Sequence, residues 1–275
     1  MKTEHREHPL GTPGGSARLK AASEQPESRV MRFLARLLLG NQAPGRSWEK
    51  GAEGEELVAK KLAKLSRERW MPLHDLALGE RGRNVDHLVI GRAGVFTVNT
   101  KNLTGNVVVR GNSFLVNGFP SRDLYVARDE AARVGERLSI AVGEAVDVTP
   151  VVVVLSASLE IERLPEGVHV LGRRDVPSWF DARPDALAGA APSRVYVAAR
   201  MNRVWTAPLE SLRQEFAAPD NVSLTTKAWT KWGHDRVYVN DASGGKVGYL
   251  DRKSGHVHVE DEASLSDVLA ALARH

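Results

Sequence analysis

The hydrophobic and polar positions of the chain fall into blocks of different period. "SWEKGAEGEELVAKKLAKL" (47–65) is a run of helix formers that predicts a helix from an N-cap at Ser47 to about Ser66. At about 100° per residue, Trp48, Ala52, Val58, Ala59, Leu62 and Leu65 form one apolar stripe. Glu55 falls in its middle, so it points at whatever the helix packs on and needs a partner there. "MPLHDLAL" (71–78) reads as a strand, and residues 85–90 and 95–101 form a hairpin around "GRAG". With Ile90 opposed to Val95, Leu88 faces Thr97 and Asp86 faces Asn99. Period-2 alternation carries Lys101 to the same side, so three polar groups gather at one end of one sheet face.

Further on, "VVVRGNSFLVNGF" (107–119) predicts a hairpin turning at Gly111-Asn112, and residues 121–142 a helix. "TPVVVVLSA" (149–157) is a continuous apolar run of the kind found in strands buried on both faces. Helix, several strands, helix and buried strand together predict an α/β domain over 47–157, with helices covering a mixed central sheet. From 158 to 220 the pieces "RRDVPSWFDA" and "PSRVYVAARMNRVW", broken by prolines, predict a helical extension. Residues 236–260 alternate around "DASGG" and "RKSG" turns, giving a three-stranded meander in a small β module (221–275) closed by a helix from Ser264 to Arg274. At the other end, 1–28 reads as a disordered basic tail and 29–46 as a short amphipathic helix and linker. The segment "VMRFLARLLLG" (30–40) carries Arg32 and Arg36 and is shorter than the roughly 20 residues a membrane span requires. A cytoplasmic protein without a membrane span is expected.

Composition narrows the chemistry. With 275 residues, 42% of them hydrophobic, the chain can bury one good core and a small second module. The absence of cysteine excludes disulfides, thiolate catalysis and cysteine-held metals, so any metal is bound by oxygen or imidazole. A net charge of +4 suits a polyanionic partner without demanding one. Glu55, Asp86 and Asn99 offer hard oxygen donors beside the Lys101 ammonium, a set suited to Mg²⁺ or Mn²⁺ and to phosphodiester hydrolysis. His87 alternates to the face opposite Asp86 and reads as a packed imidazole. In the C-terminal module Trp229 and Trp232 are interleaved with Lys227, Lys231 and Arg236, a composition of sequence-tolerant nucleic-acid grooves. The same aromatics, with Tyr238 and Tyr249, would equally serve as the small module's own core.

These residues resemble the nuclease-related domain family, a branch of the PD-(D/E)XK nuclease-like superfamily. "GAEGEELV" matches its Gly-x-x-Gly-Glu helix, "DHLVIGRAGVFTVNTKN" its Asp-His, Gly-Val-Phe and x-x-Lys strands, and "TGNV" follows. The resemblance covers roughly residues 47–157. It implies an αβββαβ core and a divalent-metal-dependent nuclease acting on DNA, with RNA as a second candidate, and puts Glu55, Asp86 and Lys101 at the matching site positions. The position two before the lysine, acidic in the superfamily, is Asn99 here, which brings an oxygen but no charge and implies weaker metal binding. The rival this raises is a catalytically silent nuclease-like domain that binds nucleic acid or serves as an adaptor.

Overall fold

The computed structural model describes residues 12–13, 46–79, 83–187, 191–217, 224–252, 256–260, 267–268 and 271–272. The helix expected at 30–40 lies outside the described residues, as does most of the one expected from Ser264, of which 267–268 and 271–272 are helical.

The chain runs α1 (Arg46–Leu62), β1 (Trp70–Ala77), β2 (Asn84–Gly91), β3 (Gly94–Lys101), then later α2 (Asp123–Val142) and β7 (Val148–Val154). This is the expected αβββαβ order. Ser47, expected as the N-cap, falls inside α1, and α1 stops at Leu62 where turns take over, short of Ser66. Strands β1, β2 and β3 are antiparallel neighbours, and β7 joins β3 in parallel, making the sheet mixed. Between β3 and α2 a meander of β4 (Asn106–Arg110), β5 (Ser113–Val116) and β6 (Phe119–Ser121) belongs to a second sheet.

Each face of the central sheet has its own helix. Val58 and Leu62 of α1 pack with Val89, Phe96, Val98, Val151 and Val153. On the other face Val134 and Leu138 of α2 pack with Leu88, Ile90 and Val95, and Leu124 and Ala127 with Val152 and Val154. Covered on both sides, Val151 to Val154 are all buried, which is why β7 shows no alternation. Gly54 sets how close α1 comes: a Cβ there would lie 2.8 Å from Asn102 Cβ and 3.3 Å from Thr100 Cγ2. At the same crossing the Asn102 amide donates to the Lys50 carbonyl at 2.7 Å. The helix is thereby pinned against the end of β3.

Residues 158–220 differ from the helical extension read in the sequence. Strand β8 (Ser158–Arg163) pairs in parallel with β4, and β9 (His169–Gly172) pairs in parallel with β7 as the edge of the central sheet. Both are short: β9 spans four residues, and in β8 Leu159 and Ile161 alternate with polar residues over only six mostly exposed positions, too brief a run to stand out. The helical pieces begin with α3 (Val176–Asp181), followed by α4 (Ala191–Arg200), α5 (Asn202–Thr206) and α6 (Leu209–Ala217). Buried Arg137 of α2 donates to the carbonyls of Val204 and Ala207 at 2.8 and 2.9 Å, satisfying the end of α5.

The C-terminal meander has the three strands expected over 236–260, β11 (His234–Asn240), β12 (Lys246–Asp251) and β13 (His256–Val259), and a fourth before them, β10 (Thr225–Lys231), each antiparallel to the next. Its inner face is Val237, Val239 and Leu250, continuous with Val268, Ala271, Leu272 and the core around α4 and α5. No helix among the described residues is long and apolar enough to cross a membrane.

Candidate metal and phosphodiester site

Asp86 sits where β2 is released from both of its neighbours. Pairing with β1 skips the Asp75–Asp86 level, where Asp75 adopts a φ of 51°, and pairing with β3 ends at His87–Val98. The interruption leaves the Thr100 N–H without a strand partner on that side, and the Asp86 carboxylate accepts it at 2.7 Å. Asp86 and Asn99 therefore meet on one face without forming a ladder pair. Burial dominates the protonation of Asp86 and raises it to about 6, against the opposing pull of the Thr100 hydrogen bond and of Lys101.

Asn99 and Lys101 alternate onto the same face, which α2 covers. Asn99 is 7% exposed and its Nδ2 donates to Glu130 Oε2 at 3.3 Å. Glu130 was not among the residues singled out from sequence. It lies in the apolar stripe of α2 between Ala127 and Val134, the same signal that drew attention to Glu55 in α1. Burial, then repulsion from Asp86, pushes the Glu130 carboxyl up to about 8. Lys101 Nζ lies 3.0 Å from Asp123 Oδ1 in the first turn of α2, and Ser121 Oγ donates to the other carboxylate oxygen at 2.7 Å. Asp123 and Glu130 are seven residues apart, two turns along one face of α2, so a single helix supplies both acidic partners.

Two oxygens decide what this arrangement can hold. Asn99 Oδ1 and Glu130 Oε1 are both buried with no hydrogen-bond partner, a costly state for oxygen atoms side by side with a second carboxylate. A hard cation would suit them: Asp86, the Asn99 amide oxygen and Glu130 are oxygen donors of the type that Mg²⁺ and Mn²⁺ take, and a positive charge there would offset the burial that raises both acids and the repulsion from Asp86 that adds to it at Glu130. Among the described residues no group of three or more His, Asp or Glu side chains is placed to hold a metal, so the donor set is two carboxylates and an amide.

Glu55 comes from the other helix. It is 7% exposed, as the stripe requires, and is engaged within the protein. Its helix, however, covers the Val98–Thr100 side of β3, whereas Asp86, Asn99 and Lys101 face α2. Sequence periodicity says that a residue points at a sheet, but not at which face. His87 lies on the α1 side as expected, fully buried, its Nδ1 2.9 Å from His74 Nδ1. Burial lowers both imidazoles, which favours their neutral forms.

Residues 50–155 match the family model of the nuclease-related domain. This segment is a nuclease-related domain. The match begins inside α1 and ends just after β7, so the nuclease-related domain takes in every residue of the Asp86–Asn99–Lys101–Glu130 group. Strands β8 and β9 complete its two sheets from beyond the matched segment. No curated protein and no solved structure matches the chain.

The other sequence-marked residues lie in the β10–β11 hairpin, away from this group in the chain. Lys227, Trp229 and Lys231 alternate along one face of β10, Arg236 stands opposite Trp229 on β11, and Trp232 occupies the turn.

Proposed function

We propose that the nuclease-related domain hydrolyses nucleic-acid phosphodiester bonds, DNA first and RNA as a second polymer of the same backbone, using Mg²⁺ or Mn²⁺. Asp86, Asn99 Oδ1 and Glu130 would hold the ion, with Glu130 supplying the negative charge that Asn99 lacks. The observation that carries this reading is the pair of orphaned buried oxygens on Asn99 and Glu130 beside Asp86. When bound, such an ion polarises the phosphate and acidifies a water.

The protein's own groups position the rest. The Thr100 N–H fixes the Asp86 carboxylate, and the Glu130 contact fixes the plane of the Asn99 amide. Lys101 is 24% exposed, so its ammonium is reachable by a phosphate while Asp123 holds it in place. From there it orients the attacking water and offsets charge growing on the phosphate oxygens.

Cleavage of linear, supercoiled and single-stranded DNA and of RNA, with Mg²⁺, Mn²⁺ or chelator, tests the proposal. Metal-dependent cleavage should fall by about 10² or more in Asp86→Ala and in Lys101→Ala, as loss of a charge-stabilising group implies. Undiminished cleavage in both variants would overturn it.

A further inference from the structure

The C-terminal meander turns its aromatic side chains outward. With Val237, Val239 and Leu250 filling the inner face, alternation leaves Trp229, Tyr238, Tyr249 and His258 on the other. Their rings form a continuous track across all four strands. Centroids are 6.2 Å apart from Trp232 to Trp229, 6.2 Å to Tyr238, 5.6 Å to Tyr249 and 5.1 Å to His258. The aromatics are therefore not the core of the module.

Trp232 is the member that folding does not explain. It occupies the two-residue turn between Lys231 and His234, and both it and Gly233 have positive φ, 52° and 80°. That turn favours Asn-Gly, and a bulky residue there costs on the order of 1 kcal/mol. Trp232 is nonetheless 80% exposed. Strain and an exposed indole are retained together at the tip of the track.

Cations line the same face. Lys231 Nζ lies 4.8 Å from the Trp232 ring centre, the Arg236 guanidinium 4.5 Å from Tyr249, and Lys246 Nζ 5.2 Å from Tyr238. Among the described residues of this face Lys227 makes a fourth basic group, and Asp251 and Glu260 pair with Arg236 and Lys246. Rings that offer π-faces beside cations suit a chain carrying both flat bases and phosphates. A duplex keeps its bases stacked inside and would use only the cations.

We propose that this sheet face is a stacking platform for single-stranded nucleic acid, with Trp232 and Trp229 receiving bases and the neighbouring Lys and Arg side chains receiving phosphates. The platform stands apart from hydrolysis and is tested in chelator, where cleavage plays no part. Fluorescence anisotropy of labelled oligothymidylate, oligouridylate and a duplex of about 20 residues, longer than one stacking site spans, gives the affinities. Binding should favour the single strands, and Trp232→Asn should weaken it about 5- to 100-fold, the effect of one lost stacking contact. The same substitution suits the turn, so its thermal midpoint should be unchanged or higher, which separates a binding role from a structural one. Lys227→Ala with Lys231→Ala should lower the salt slope by about 1.4, at roughly 0.7 per phosphate contact on a single strand. Single strands that fail to bind, tighter binding of the duplex, or undiminished binding by Trp232→Asn would overturn the proposal.

Discussion

Asp86 and Glu130 are two acids whose protonation burial has raised to about 6 and about 8, from ordinary values of 3.8 and 4.5. An acid raised on folding stabilises the fold while protonated, and that contribution is lost as the pH climbs through its folded value. In chelator, stability should therefore decline from about pH 5 to pH 9, by an amount on the order of a few kcal/mol. Thermal melts across this range check the sign, and Glu130→Gln should remove most of the decline above pH 6. A metal-free protein that grows more stable toward pH 9 would contradict the buried pair. Asn99→Asp adds a third carboxylate to the group and should tighten Mn²⁺ binding by about tenfold, read by calorimetry, because ligand charge sets affinity at such sites. Much of this was legible in the chain. Alternation alone placed Asp86, Asn99 and Lys101 on one face, since the side-chain period of a strand is rigid. Glu130 carried an equally readable signal, an acid inside the apolar stripe of α2, but what it faces depends on how a helix from residues 123–142 lies over β3, a long-range contact that no local pattern encodes.

At the scale of elements, α1 and β3 are held by close backbone approach as well as by apolar area. Gly54 and Gly51 lie on the same helix, and helix propensity alone says that alanine at either stabilises by up to about 1 kcal/mol. The structure separates them. Space around Gly51 is open, whereas a Cβ at Gly54 meets Asn102 at 2.8 Å. Gly51→Ala should be neutral or stabilising in urea unfolding, and Gly54→Ala destabilising by about 1–3 kcal/mol, the usual cost of overpacking. Equal effects at the two positions would show that α1 does not press on the end of β3. The strands that sequence missed share a cause. Thr225–Lys231 is polar and mostly exposed, Ser158–Arg163 is an edge strand with one exposed face, and His169–Gly172 spans four residues. Each takes its hydrogen bonds from a neighbour, and such alternation as exists, Leu159 and Ile161 in Ser158–Arg163, is too brief to stand out.

The whole molecule extends the nuclease-related domain beyond its matched segment. Because β9 hydrogen-bonds to β7 and β8 to β4, a chain ending at residue 157 would expose the edge of Val151–Val154 and leave both sheets incomplete. Such a chain should lose cooperative thermal unfolding, observable by circular dichroism, whereas independent folding of 47–157 would show that these strands are dispensable. Around that framework the sheet brings an amide and two carboxylates together from β2, β3 and α2, and α2 alone aligns both Asp123 and Glu130 with β3. The central claim is that Asp86, Asn99 and Glu130 cage one divalent ion in front of Lys101. Titration with Mn²⁺, followed by the loss of free-ion electron paramagnetic resonance signal, tests it most directly. One ion should bind to the native protein, with affinity reduced about tenfold or more in Asp86→Asn and in Glu130→Gln, while Glu55→Gln has the smaller effect. Equal affinity in the native protein, Asp86→Asn and Glu130→Gln would contradict the account.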